Sequence, residues 1–137
     1  MRILDPGHRY AVNILDGLGN TENGICIGKD HVQFVKREGE GYPGNVGHHY
    51  GTNCQELVRV LIHRLKYLDS QIPDHNNIHA IKSLRDVLRE LETRAAQRHG
   101  LSLPRDKDLI EIEKLPTCLH CGHIVCKEPI WDAEAES

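Results

Sequence analysis

The sequence predicts an α+β protein: a small N-terminal antiparallel β-sheet, then a long antiparallel helical hairpin, then a Cys-rich C-terminal extension. Three observations lead there. Apolar and polar residues alternate in short runs in the N-terminal third, apolar residues recur at three- and four-residue spacing through 51–100, and three of the five Cys fall within nine residues near the C-terminus. Alternation marks strands and the three-four period marks helices. The division is 1–50 for the sheet and a Gly-rich loop, 51–100 for the hairpin, and 101–137 for the extension.

The strands come first. In "RYAVNILD" Tyr10, Val12 and Ile14 share one face; in "HVQFVK" Val32 and Phe34 share one; "GICIG", with Ile25 and Ile27, is a shorter third candidate. "DGLGNTENG" and "GKD" read as the turns between them. So short a meander needs support, and the helices that follow are its natural partner. "EGEGYPGNVGHHYG" is a connecting loop without a period.

The first helix starts in "TNCQELVRVLIHRLKYL", where Thr52 or Asn53 can cap and Gln55 or Glu56 completes a capping box. Leu57, Val58, Leu61, Leu65 and Leu68 form its expected buried stripe. Val60 and Tyr67, seven apart, share a second face suited to another subunit or a ligand. The turn "SQIPDHNNIHAI" follows, in which Asp74, Asn76 or Asn77 can cap the second helix. That helix repeats apolar residues at Ile81, Leu84, Leu88, Leu91 and Ala95, as an antiparallel partner requires, and Gly100 stops it. Beyond lie a linker "LSLPRDKD", a possible short strand "LIEIEKL", the Cys cluster, and a tail expected to be disordered after Trp131.

"CLHCGHIVC" is the sharpest chemical motif. Cys118 and Cys121 have the C-x-x-C spacing of a zinc knuckle, and Cys126 with His123 or His120 can complete a tetrahedral set. Four protein ligands would make the zinc structural. Tyr67, before the bend, lies near Asn76 and Asn77 in any tight hairpin. Arg94 and Arg98, four apart, share a helix face and can grip a phosphate. Lys36 and Arg37 are further phosphate contacts. His48 and His49 beside Cys54 invite a catalytic reading, but adjacent His side chains diverge and no carboxylate pair or nucleophile elbow stands nearby. The protein is therefore not expected to be an enzyme.

Composition sets outer limits. At 137 residues and 39% hydrophobic, with one Trp and one Phe, the chain has the length of one domain and little aromatic bulk, so oligomerisation is an expected source of burial. A net charge of -3, with ten His that titrate just below neutrality, does not mark a nucleic-acid binder. No apolar run approaches a membrane span or a signal peptide, so the expected setting is the cytoplasm, where clustered Cys favour a metal over disulfides.

The run "GTNCQELVRVLIHRLKYLDSQIPDHNNIHAIKSLRDVLRELETRAAQR" resembles the helical hairpin shared by phage proteins that sequester nucleotide immune signals, the Thoeris anti-defence and anti-CBASS sponge families. "GHRYAVNILDG" and "HVQFVKREG" resemble the N-terminal strands of the Thoeris anti-defence type, so the similarity spans residues 7–100. It implies a non-enzymatic binder, dimeric or hexameric, that buries glycocyclic ADP-ribose or cyclic oligonucleotides at subunit interfaces. Carried over, its aromatic falls on Tyr67, its bend Asn on Asn77, its late Arg on Arg94 and its strand Arg on Arg9. The bend here reads Asp-His-Asn-Asn where relatives often read Cys-Arg-Glu-Asn, "RDVLREL" replaces an acidic Trp-containing segment, and the Cys-bearing tail is additional. The resulting expectation is a phage immune-evasion sponge in the host cytoplasm. The alternative is a small zinc-knuckle protein that binds nucleic acid or a protein partner. A third reading, cleavage of such nucleotides by His48 or His49, predicts an altered ligand.

Overall fold

The computed structural model describes residues 1–15, 26–37, 48–105 and 109–131. The chain forms two compact units, Met1–Asn53 and Cys54–Ser137.

The first unit holds a three-stranded antiparallel sheet in the order β1-β2-β3: β1 is Arg2–Asp5, β2 is Arg9–Leu15 and β3 is Cys26–Gln33. The strand count agrees with the sequence reading, but the strands differ. "RILD" makes β1, joined to β2 by the turn Asp5-Pro6-Gly7-His8, in which the His8 N–H donates to the Asp5 carbonyl at 2.9 Å. Pro second and Gly third, with Gly7 at φ 79°, meet the demands of a type II turn. "GICIG" and "HVQFVK" do not make two strands, because "GKD" is no turn: Gly28, Lys29 and Asp30 pair with Ile14, Asn13 and Val12 inside β3. Lys29 Nζ donates to Asn13 Oδ1 at 2.6 Å, a cross-strand bond that keeps this polar stretch extended. Ala11 is the buried residue of β2, on the face opposite Tyr10 and Val12.

Past β3 the chain makes a short ladder between β4, Lys36–Arg37, and β5, His48–His49, so the Gly-rich loop ends in strand. Its residues 38–47 lie outside the described residues, as do 16–25, which carry the whole of "DGLGNTENG". Thr52 returns beside Phe34, donating to the Gln33 carbonyl at 2.8 Å and accepting from the Val35 N–H at 2.9 Å. Gly51 makes that approach possible, since a β-carbon there would collide with the Phe34 backbone.

The second unit is built on α1, Cys54–Gln71, and α2, His75–Arg98. Asp74 caps α2, accepting the Asn76 N–H at 2.7 Å. His99 ends it, and Gly100 at φ 67° and Leu101 return N–H bonds to Gln97 and Ala96, a Schellman closure. The helices pack on each other through Val58 and Ile62 of α1 and Ile81 and Leu88 of α2, with Leu65, Leu84 and Leu91 around them. The stripe of α2 is the expected one. That of α1 is rotated: Ile62 is fully buried and Leu61 is half exposed. The rotation has a cause in the segment after α2, whose Leu109 and Ile112 join the same core and are both buried. "LIEIEKL" is not a strand but contains a one-turn 3-10 helix, Ile112–Lys114. It is held by Glu113, which takes a two-pronged bond from Arg85 and a 2.7 Å contact from Lys66. Among the described residues no helix is long and apolar enough to cross a membrane.

Candidate metal centre and basic cleft

The Sγ atoms of Cys118, Cys121 and Cys126 all lie within 4.8 Å of one another. Local backbone geometry gathers them. Gly122 takes φ 74° and its N–H donates to the Cys118 carbonyl at 2.7 Å, while the Cys118 N–H donates to the His123 carbonyl at 2.9 Å. This tight loop turns the C-x-x-C pair inward. Cys118 is buried, and its sulfur accepts the N–H groups of His120 and Ile130, each at 3.4 Å. Burial opposes ionisation of Cys118, but the N–H donors of Ile130, Cys121 and His120 outweigh it and bring the thiol down to about 7. Burial pushes Cys121 up to about 12, with the neighbouring sulfurs of Cys118 and Cys126 adding to the rise. The cluster thus holds one negative charge readily and resists a second. A cation removes that resistance, because coordinated thiols are deprotonated outright. Three convergent sulfurs with N–H donors already aimed at one of them are a donor set that fits a thiophilic metal ion.

His123 and His120, the expected further ligands, stand outside this group of three. The Nδ1 of His123 lies 2.7 Å from Nε2 of Gln55, in the first turn of α1, and its ring is 6.0 Å from that of His99. Cys54 is exposed, and Cys26 lies in β3.

The first unit carries a separate cleft of about 280 Å³ between the β1–β2 turn and the end of β3. Arg9, Lys36, His8 and His49 line it with Phe34, Gln33 and Asp5. Asp5 pairs with Lys36 at 3.1 Å, and the Phe34 ring meets Tyr10 edge-on at 6.0 Å. Arg9, Lys36 and His49, far apart in sequence, thus share one wall system, whereas no side chain is described for Arg37 or His48. His8 and Gln33 join them without any signal in the sequence beyond a turn residue and a strand end.

On the helix pair, Tyr67 is half exposed with the Arg64 guanidinium 5.5 Å over its ring, and its hydroxyl accepts from Gln71 Nε2 at 2.7 Å. Asn77 is tied to Asp69 by a weak 3.5 Å bond, and Asn76 is exposed. A smaller cavity of about 190 Å³ lies between the helices here, lined by Lys66, Asp69, Ile78, Ile81, Lys82 and Arg85. Arg94 and Arg98 are exposed near the far end of α2. Seventeen residues separate Asn77 from Arg94 on one helix, which is about 26 Å. One chain therefore does not bring Tyr67 and Asn77 together with Arg94.

No relative decides between these sites. No family model matches the chain, and no curated protein or solved structure matches it.

Proposed function

We propose that the protein is a non-catalytic sponge of the Thoeris anti-defence type, which holds cyclic nucleotide or cyclic ADP-ribose signals intact in the host cytoplasm. The observation that carries this reading is the basic cleft. Arg9 and Lys36 offer charge-assisted bonds to phosphate, His8 and His49 add donors, and Phe34 offers an apolar ring surface. The resemblance in α1 and α2 supports it further, with the two acting as one long hairpin that presents Tyr67, Val60 and Arg94 outward. The roughly 26 Å between Asn77 and Arg94 along α2 then acquires a meaning: a site using Tyr67, Asn77 and Arg94 draws them from two copies, as in a dimer or hexamer. Zinc, on this reading, is bound by Cys118, Cys121 and Cys126 and stiffens the extension rather than touching the signal.

Native mass spectrometry with glycocyclic ADP-ribose and a panel of cyclic di- and trinucleotides tests the proposal. A homo-oligomer that carries ligand and releases it unaltered on heating is the expected result, with Arg9→Ala and Arg94→Ala each losing most of the bound signal. A protein that ignores every cyclic ligand overturns it, and a chemically altered ligand points to an enzyme. The second reading, a zinc-knuckle protein for nucleic acid or a protein partner, is favoured by the three gathered thiols. For nucleic acid it predicts an affinity that falls steeply with salt as phosphate counterions are released.

A further inference from the structure

Among the described residues two polar residues are buried as a whole, Gln55 at 5% and Glu92 at 0% exposure. They sit on different helices, yet they end on adjacent residues. Gln55 Nε2 meets His123 Nδ1 at 2.7 Å, and the Ile124 N–H donates to Glu92 Oε2 at 3.1 Å. The other Glu92 oxygen takes Arg59 Nη2 at 3.3 Å. His123 and Ile124 lie between Cys121 and Cys126, in the arc that must keep its shape for the third sulfur to reach the first two.

Burying an amide and a carboxylate is costly unless both are satisfied, and here their satisfaction depends on where that arc sits. The same arc sets the sulfur geometry. We propose that Gln55 and Glu92 are positioning residues of the metal centre: by fixing His123–Ile124 they hold Cys121 and Cys126 in register, so that metal binding and docking of the loop on α1 and α2 reinforce each other. This rests on the reading that the three Cys hold a metal. The coupling is reciprocal, since whatever docking adds to metal affinity the metal returns to docking. Outer partners of metal sites carry this much weight elsewhere, where their loss weakens metal binding by about 10–100-fold.

The test is a Co(II) titration of the full-length protein, followed by its thiolate-to-cobalt absorption and by competition with a chelator. Gln55→Leu is expected to weaken Co(II) binding about tenfold or more. Glu92→Gln keeps an acceptor for the Ile124 N–H and is expected to stay nearer the parent. Ile81→Val, which trims the core near the α1–α2 turn, is expected to lower the melting temperature without changing Co(II) affinity, so a merely structural role is separated from positioning. Unchanged Co(II) affinity in folded Gln55→Leu overturns the coupling while leaving the metal centre standing. A parent protein that binds no Co(II) overturns the metal centre and the coupling with it. If Gln55→Leu does not fold, hydrogen exchange on the parent decides: chelation is expected to lower amide protection around Glu92–Ala96, and unchanged protection there overturns the proposal.

Discussion

Gly51 is where a single atom decides a connection. Its missing β-carbon lets Thr52 lie against Phe34, and Gly51→Ala forces the two backbones apart. Calorimetric unfolding is expected to show a loss of about 2–3 kcal/mol, in the range of mutations that break a packed backbone contact. Glu113 decides by charge. Burial pushes its carboxyl up, but the bonds from Arg85 and Lys66 outweigh this and take it from 4.5 down to about 2. A carboxylate whose folded pKa is lowered stabilises the fold above its unfolded pKa and loses that contribution as pH falls. Urea midpoints are therefore expected to drop between pH 4.5 and about 2, with Glu113→Gln flattening that limb at a lower overall stability. Nothing in "LIEIEKL" hinted at this role, because the partners Arg85 and Lys66 are distant in sequence. Gln55 is hidden in the same way: beside the helix start it has the form of half a capping box, whereas its amide reaches a residue 68 positions on.

At the scale of elements, the helices were legible and the strands only partly so. The apolar period of α2 placed Ile81, Leu88 and Ala95 in the core, and Asp74 and Gly100 act at its ends as cap and stop. That period is a property of the chain itself. Leu61 misled because α1 is apolar on more than one side, and which side is buried was settled by Leu109 and Ile112, which pack from outside the hairpin pattern. "GKD" misled because turn chemistry and an edge strand with a cross-strand Lys–Asn bond look alike along one dimension. β1 is four residues without alternation, and its pairing partner alone gives it away. Of the candidate sites, the thiol cluster was written in its spacing, while the cleft needed the sheet to bring Arg9 to Lys36. Two measurements check the helix account by denaturant unfolding. Leu88→Ala, at a fully buried site, is expected to cost about 2–5 kcal/mol, and Gly100→Ala, at φ 67°, about 1 kcal/mol.

For the whole molecule, charge is governed by His. The formal charge of -3 counts ten His as neutral, so protonating three of them cancels it, close to the pI of 6.3. Electrophoretic mobility is expected to change sign near pH 6.3, with solubility lowest there. The same molecule also carries its own optical probe. Trp131 is the single Trp of the chain, about half exposed, and it follows Ile130, whose N–H is bound to the Cys118 sulfur. Indole emission therefore originates at one place, beside the thiol cluster. A titration with metal, oxidant or chelator can be followed through that light alone, without a label and without a contribution from any second Trp.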